Sequence, residues 1–254
     1  MAPNRREFLS IVAGSVTASL FATTPLARAR DRSRIKGVLF DAFPVFDPRP
    51  VIALAERFFP GKGADLSNIW RTRQFEYAWL RTVGQHYEDF WQITADALTF
   101  AARTLKLDLA AQQRDDLMNA YLELKAYPDV LPALESLNRA GVRLAFLSNL
   151  TPKMLAAGIR NSGLDGLFEH VLSTDQVRIY KPDPRAYALG LEALRLTRDE
   201  IVFAPFAGWD ATGAKWFGYR TFWVNRLHQP VEELGAAPDA TGETLSDLLA
   251  FVQP

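Results

Sequence analysis

Ile-Lys-Gly-Val-Leu-Phe-Asp, residues 35–41, is the stretch that decides the fold. Its short apolar run is typical of a buried β-strand, and the run ends at Asp41. Three prolines follow at positions 44, 48 and 50, so the strand cannot continue beyond the aspartate. The sequence therefore predicts a buried strand with a carboxylate at its carboxyl end.

The next part of the chain, from about residue 50 to residue 125, is predicted to be helical. Apolar residues recur there at three- and four-residue spacing in segments 51–59, 66–83, 88–105 and 110–124. Glycines or a short polar stretch separate these segments. The pattern indicates a helical bundle that is inserted directly after the first strand.

After Tyr127-Pro128 the pattern changes to alternating helices and strands. Strands are predicted at 142–147, 170–172, 201–204 and 221–224, and helices at 130–140, 151–162, 184–194, 209–217 and 245–251. Such an alternation forms right-handed crossovers and a parallel sheet. The predicted fold class is therefore α/β, with a doubly wound parallel-sheet (Rossmann-like) core and an inserted helical-bundle cap. The predicted core comprises residues 34–47 and 126–254, and the predicted cap comprises residues 48–125.

Polar residues follow three of the predicted strands at their carboxyl ends. Asp41 ends the first strand, Ser148 and Asn149 end the second, and Asp210 comes shortly after the strand at 201–204. Reactive groups gather at this edge of a doubly wound sheet. A carboxylate is a weak nucleophile unless it is oriented and kept ionised, and an ammonium such as that of Lys181 would do both.

Five segments, in this order, resemble the haloacid dehalogenase superfamily, and in detail its type II L-2-haloacid dehalogenases. They are Phe40-Asp41-Ala42-Phe43, the helical segment 70–81, Leu147-Ser148-Asn149, Tyr180-Lys181-Pro182-Asp183 with Tyr187, and Trp209-Asp210-Ala211-Thr212-Gly213-Ala214. The resemblance covers residues 34–254. It implies a hydrolase that uses Asp41 as a covalent nucleophile, with Ser148, Lys181 and Asp210 as further catalytic residues. The implied substrate is a small 2-haloacid, which is converted through an aspartyl ester to a 2-hydroxy acid.

The resemblance also implies which residues bind the substrate and the leaving group. They are Arg71, Asn149, Phe43, Trp209 and Tyr187. In the family, the arginine reaches from the cap into the cleft, where a guanidinium suits both a carboxylate and a halide. Phe43 and Trp209 would form an apolar wall around the leaving group. In proteins generally, an arginine on a helix more often faces solvent, and aromatic residues more often belong to the core.

Position 43 separates two branches of this superfamily. Its phosphatases have a second aspartate two residues after the nucleophile, where it protonates the leaving alkoxide. Phe43 occupies that position here, and a departing halide needs no proton. This argues against phosphoryl transfer and against a required magnesium ion. The chain also has no cysteine and only three histidines, so we expect neither a metal nor a cofactor.

Two loops depart from the dehalogenase pattern. Val45 replaces a threonine after the nucleophile. Pro205-Phe206-Ala207-Gly208 stands where the family has Ser-Ser-Asn-Ala, so a serine and an asparagine that help to place the hydrolytic water are missing. Losing hydroxyl and amide groups beside a charged site is not a neutral change. Two other functions therefore stay open. One is that of a related hydrolase of a non-halogenated carboxylate, for example one that opens the ring of azetidine-2-carboxylate. The other is that of a catalytically weakened periplasmic binding protein for small anions.

The beginning of the chain predicts export. Arg5-Arg6 precedes an apolar run from Ile11 to Phe21, and Ala27-Arg28-Ala29 is a small-x-small cleavage site. The arginine pair resembles a twin-arginine signal, which directs export of folded proteins. Residues 1–29 are therefore predicted to be a signal peptide. The mature protein is expected in the periplasm, without a stable membrane anchor.

The overall charge narrows the expected partners. The chain has 29 basic and 29 acidic residues, so it lacks the basic excess of a nucleic-acid-binding protein. The expected partner is a small-molecule carboxylate. Related dehalogenases pair through the cap, and the aromatic-rich stretch 75–91 would serve as the surface of a homodimer.

Overall fold

A computed structural model of the chain describes residues 35–253. The predicted signal peptide, residues 1–29, lies outside this range. Within it, one parallel sheet has the strand order β3-β2-β1-β4-β5-β6. The strands are β1 (Gly37–Phe40), β2 (Arg143–Ser148), β3 (His170–Ser173), β4 (Ile201–Ala204), β5 (Arg220–Val224) and β6 (Ala240–Gly242). This order is that of a doubly wound sheet, so the predicted fold class is confirmed.

Helices connect these strands. They are α1 (Arg49–Phe58), α2 (Gly63–Val83), α3 (Phe90–Thr104), α4 (Ala111–Asn119), α5 (Val130–Arg139), α6 (Pro152–Asn161), α7 (Pro184–Leu194), α8 (Gly208–Phe217) and α9 (Leu245–Val252). Short 3₁₀ turns lie at Ala120–Leu122, Thr174–Val177 and Arg198–Glu200. Among residues 35–253, no helix is both long enough and apolar enough to cross a lipid bilayer.

The central strands and two helix starts show why the chain folds in this way. Every residue of β1 and of β4 is buried, as expected for strands that are covered on both faces. α6 and α7 each begin with a proline at the first helical position. Before them, the side chains of Thr151 and Asp183 accept hydrogen bonds from backbone N–H groups of the first turn.

Helices α1 to α4 and the following 3₁₀ turn, residues 49–122, form the helical insert between β1 and α5. Inside it, the indole of Trp70 donates a hydrogen bond to Thr94 O at 2.8 Å, and Gln74 donates to Thr94 Oγ1 at 3.0 Å. The buried apolar residues of the insert belong to one cluster with part of those of the sheet, such as Val38, Phe40 and Phe146, whereas Leu39, Ala145 and Phe203 belong to a second cluster. The division of the chain into separate core and cap domains stays a prediction.

The structure contains one strand, β6, that the sequence did not predict. β6 has the sequence Ala-Thr-Gly, and all three residues retain exposed surface. It lacks the apolar run that identified the other strands, and it exists because it pairs with the edge of β5. The missed strand lies at the edge of the sheet and leaves the predicted topology of the other strands unchanged.

Candidate active site

Three chain segments meet where β1, β2 and β4 end. Phe40 pairs with Phe146 of β2 on one side and with Ala204 of β4 on the other, so the three strands end at the same edge of the sheet. Asp41 follows directly, and its backbone N–H donates to Ala204 O at 3.1 Å. Ser148 is the last residue of β2. The fold thus brings the predicted polar clusters together.

The two carboxylate oxygens of Asp41 are held differently. Oδ1 accepts hydrogen bonds from Ser148 Oγ at 3.1 Å and from Lys181 Nζ at 3.0 Å. Oδ2 has a long contact of 3.5 Å with the backbone N–H of Phe43. One oxygen is therefore fixed by two donors, whereas the other keeps lone pairs for attack on a bound molecule.

Lys181 is a buried ammonium between two carboxylates. Its Nζ donates to Asp41 Oδ1, to Asp210 Oδ2 at 2.6 Å and to Leu147 O at 3.2 Å, which uses all three of its N–H groups. The side chain is 1% exposed. Burial opposes its positive charge, but the two adjacent carboxylates outweigh burial and raise the pKa of Lys181 above its usual value. Lys181 therefore stays charged and fixes both carboxylates.

Asp210, in the first turn of α8, is the second carboxylate of the site. Burial raises the pKa of Asp210 to about 6, with a further increase from Asp41, although the ammonium of Lys181 lowers it. Oδ2 accepts from Lys181, and Oδ1 accepts from the hydroxyl of Tyr187 at 2.6 Å. A buried carboxyl with a pKa near neutrality can act as a proton acceptor.

Tyr187 lies behind Asp210 and does not line the cavity that Asp41 faces. Its side chain is fully buried, and its backbone carbonyl accepts a hydrogen bond from Tyr219 Oη at 2.7 Å. The expected contact of Tyr187 with the substrate stays a prediction. The structure gives Tyr187 a contact with Asp210, because α7 packs beneath α8.

Asn149 presents one donor that has no partner among residues 35–253. Its Oδ1 accepts hydrogen bonds from the backbone N–H of Lys181 at 3.1 Å and from Thr174 Oγ1 at 3.2 Å. These two bonds fix the amide so that Nδ2 is buried and unpaired, in a residue that lines the cavity. Leaving a buried N–H unpaired costs about 1–3 kcal/mol, so an anion in the cavity would satisfy this donor.

The cavity above Asp41 is small and mostly apolar. It offers about 20 Å³ to the centre of a water molecule. Its polar lining consists of Asp41, Ser148, Asn149, Lys181 and Asp210, and its apolar lining consists of Phe43, Phe75, Phe90, Leu150, Phe206, Ala207 and Trp209. Such a space holds little water, which strengthens electrostatic interactions inside it.

Arg71 lies outside this cavity, in a larger neighbouring pocket of about 480 Å³. Phe206, Ala207 and Trp209 line both pockets and so form the wall between them. The guanidinium carbon of Arg71 is 6.0 Å from the centroid of the Phe206 ring. Arg71 keeps exposed surface, yet desolvation by the protein around it lowers its pKa. The structure thus places this arginine beside the cavity, not within it.

Sequence reasoning missed the aromatic walls that the helical insert contributes. Phe75 belongs to the segment quoted for the resemblance, but nothing in the sequence distinguished it from its neighbours. Phe90 begins α3 and gave no signal. Val45 is buried in the apolar cluster and does not line the cavity, whereas Ala207 does. Of the two departures, only the loop 205–208 therefore changes the surface of the cavity.

No group of three or more His, Cys, Asp or Glu side chains in the described part of the chain could hold a metal ion. The positive charge at the sheet edge comes from Lys181, whose ammonium pairs with the carboxylates of Asp41 and Asp210 and neutralises one of the two negative charges. Covalent chemistry at Asp41 is therefore possible with the side chains that are present.

Comparisons with known proteins agree with this geometry. The family model of haloacid dehalogenase-like hydrolases matches residues 11–218. The chain is 44% identical over 206 residues to an (S)-2-haloacid dehalogenase of Pseudomonas sp. (strain YL), covering 81% of this chain and 89% of that protein. It is 42% identical over 220 residues to haloacetate dehalogenase H-2 of Moraxella sp. (strain B), covering 86% of this chain and 98% of that protein.

Solved structures show the same similarity. The crystal structure of the L-2-haloacid dehalogenase RSc1362 superimposes with a TM-score of 0.85 at 45% identity, covering 87% of this chain and all of that one. The L-2-haloacid dehalogenase from Xanthobacter autotrophicus with chloropropionic acid covalently bound gives a TM-score of 0.79 at 35% identity, with coverage of 87% and 100%.

Proposed function

The chain belongs to the haloacid dehalogenase-like hydrolases, and from that premise we propose that it hydrolyses the carbon–halogen bond of small (S)-2-haloacids. The observation that carries the proposal is the state of Asp41. One of its oxygens is fixed by Ser148 and Lys181, and the other is poorly bonded and faces a small apolar cavity. A carboxylate in this state is suited to in-line attack on carbon.

The reaction follows from these contacts. Asp41 Oδ2 attacks carbon 2 of the substrate, a C–O bond forms, and the halide leaves with the electron pair of the C–X bond. The product of this step is an ester of Asp41. Water then attacks the carbonyl carbon of the ester, and its proton passes to Asp210. When the bond between that carbon and Oδ2 breaks, the leaving alkoxide oxygen takes the proton back from Asp210, and a 2-hydroxy acid is released. Asp41 keeps one oxygen from water, and its remaining proton passes to the solvent as the carboxylate forms again.

The neighbouring residues favour this sequence of steps. Asn149 Nδ2 is an unpaired donor at the cavity, so it can bind the carboxylate or the departing halide. Phe43 and Trp209 exclude water from the leaving group. Arg71 lies in the adjoining pocket, beside the wall that Phe206, Ala207 and Trp209 form. Its positive charge would attract a departing halide.

Halide release from L-2-chloropropionate and chloroacetate tests the proposal. Asp41→Asn should abolish release and keep the fold. A single turnover with excess enzyme in H₂¹⁸O should place the label in the peptide that contains Asp41, which mass spectrometry detects. Label found only in the product would show direct attack by water and would contradict the covalent mechanism.

A folded protein that releases no halide would favour the non-halogenated substrate or the binding function. These two differ in the response to Asp41→Asn, because a binding protein should keep its small anion while a hydrolase of azetidine-2-carboxylate should lose turnover. Ala207 motivates the comparison, since the family's water-placing amide is absent from the cavity wall here.

We also propose that the protein is exported by the twin-arginine route and acts in the periplasm. The support is the order of Arg5-Arg6, the apolar run and the small-x-small site in residues 1–29. Cell fractionation should find a mature form that begins at Arg30 in the periplasm. A precursor with Arg5→Lys and Arg6→Lys should stay in the cytoplasm, and periplasmic arrival of that variant would contradict the route.

For the mature protein we propose a homodimer, a small carboxylate as its partner, and neither nucleic acid nor membrane as a binding target. The dimer proposal rests on the apolar surface of α2, where Leu80 is 66% exposed and Val83 is 83% exposed.

A further inference from the structure

Tyr180, the residue before Lys181, is bound by the helical insert. Its backbone N–H donates to Thr82 Oγ1 at 3.2 Å, and its hydroxyl donates to the backbone O of Glu88 at 2.5 Å. Its ring stacks on that of Tyr87 with 5.4 Å between centroids and an interplanar angle of 23°. Tyr180 is 1% exposed. Backbone, ring and hydroxyl of this residue are therefore all fixed by the end of α2 and the connection to α3.

A second contact links the same part of the insert to the segment that leads to Lys181. The hydroxyl of Tyr87 donates to Asp175 in the 3₁₀ turn, and the guanidinium carbon of Arg178 lies 4.8 Å from the centroid of the Tyr87 ring. Thr174 in that turn donates to Asn149 Oδ1, which also accepts from the backbone N–H of Lys181. These contacts link the insert, through Asp175 and Thr174, to Asn149 and the backbone N–H of Lys181.

The placement of Lys181 matters because its ammonium is shared. Its distances of 3.0 Å to Asp41 Oδ1 and 2.6 Å to Asp210 Oδ2 leave little room for displacement before one bond is lost. The insert also provides Phe75 and Phe90 as cavity walls. A movement of the insert away from the sheet would therefore open the cavity and loosen the backbone that carries the ammonium.

We propose that Thr82 and Tyr180 are positioning residues, which align Lys181 only while the helical insert is seated on the sheet. Closure of the cavity and orientation of the nucleophile then occur together, so Asp41 becomes competent only when bulk water is excluded. This inference rests on the proposed function, because it assigns the two residues to the reaction at Asp41.

Thr82→Val tests the proposal, because it keeps the shape of the side chain and removes the oxygen that accepts from Tyr180. We expect kcat for halide release to fall by about tenfold with little change in KM, since misplacing a catalytic group reduces the rate more than binding. Thr82→Ser restores the oxygen and should restore kcat. Thr99→Val is the matched control, because Thr99 Oγ1 donates to Ala95 O within its own helix, α3.

The pKa of Asp210 provides a second measurement, because loss of packing alone would not change it. Asp210 faces Lys181 and Asp41 on one side and Tyr187 on the other. If Thr82→Val loosens Lys181, then the pKa of Asp210 should rise, which ¹³C NMR of labelled aspartate can follow in the full protein without substrate. Tyr180→Phe, which loses the hydroxyl that bonds to Glu88 O and to Tyr87, should shift it in the same direction if Thr82→Val folds poorly.

The results separate this proposal from the proposed function. A wild-type protein without halide release would contradict the proposed function, and the NMR titration would still decide the positioning role. Variants at Thr82 and Tyr180 that lower the melting temperature but leave kcat and the Asp210 titration equal to those of Thr99→Val would overturn the positioning role.

Discussion

At the scale of single residues, Asp210 is expected to set the acid limit of activity. Burial raises the pKa of its carboxyl to about 6, so the group is ionised above that pH and protonated below it. The protonated form can neither pair with Lys181 nor accept a proton from water. We therefore expect kcat to decrease about tenfold per pH unit below pH 6, in a pH–rate profile of halide release. A profile that stays flat to pH 4.5 would contradict this assignment.

Tyr187→Phe should move that limit to higher pH. The hydroxyl of Tyr187 donates to Asp210 Oδ1 and lowers the pKa of the carboxyl, so its removal favours the protonated form. The variant should also lose roughly 1 kcal/mol of unfolding free energy. Tyr219→Phe is the control, because it removes a similar buried bond, to Tyr187 O, without contact to Asp210. An equal acid limit in both variants would show that Tyr187 does not act on the carboxyl.

Asn149→Asp should weaken substrate binding. The change keeps the oxygen that accepts from Lys181 and Thr174 but replaces the unpaired N–H donor with a second oxygen. A negative group there would repel a carboxylate or a halide, so KM for L-2-chloropropionate should rise by at least about tenfold. Steady-state kinetics measure this, with Thr174→Val as the control that removes only the other bond to Oδ1. An unchanged KM would exclude Asn149 from anion binding.

At the scale of secondary-structure elements, the close packing of α8 on α7 positions the second carboxylate. A Cβ at Gly213 would lie 2.5 Å from Tyr187 Oη and 2.7 Å from Pro182 Cβ. Gly213→Ala should therefore reduce stability by roughly 1–3 kcal/mol and displace the tyrosine from Asp210. Denaturant unfolding and the pH–rate profile would show both effects.

Gly190→Ala provides the comparison for this element. A Cβ at Gly190 would meet Leu39 Cδ1 at 2.2 Å and Tyr219 Oη at 2.8 Å, so the variant should also lose stability. Because these nearest contacts do not include the hydroxyl of Tyr187 that bonds to Asp210, its acid limit should match that of the wild type. A shift of the same size in both variants would mean that general loosening, not the packing of α8, controls Asp210.

The elements also show how much of the fold and site the sequence could predict. β1 and β4 are fully buried apolar runs, and parallel strands align their carboxyl ends, so Asp41, Ser148 and Asp210 could be placed together in advance. The direction in which a side chain on a helix points was harder to predict. Whether Tyr187 faces substrate or the back of Asp210 depends on the rotation of α7, which tertiary packing decides. The same holds for Arg71, which lies on α2 beside the cavity.

At the scale of the whole molecule, the site depends on two parts of the chain that are far apart in sequence. The sheet edge supplies the charged groups, and the helical insert supplies two aromatic walls and the contacts that fix Tyr180. The two sets of residues together line the cavity above Asp41.

We expect only part of the aromatic-rich stretch 75–91 to form the surface of the proposed homodimer. Phe75 and Trp79 pack on Trp209, with centroid distances of 5.1 and 5.4 Å, so they face the site. Leu80 and Val83 are instead exposed near the end of α2. Contiguous exposed apolar side chains on a helix are typical of an interaction surface.

Charge introduced at Leu80 and Val83 should separate the proposed dimer. In an isologous interface each substitution occurs twice, so Leu80→Glu with Val83→Glu would bring like charges together and desolvate them. Light scattering should find a dimeric wild type and a monomeric double variant that retains halide release, since neither Leu80 nor Val83 lines the cavity. Trp216→Glu, at a residue on α8 that is 58% exposed, is the matched control and should stay dimeric. A wild type that is monomeric at all concentrations would remove the dimer proposal, and a dimeric double variant would place the interface elsewhere.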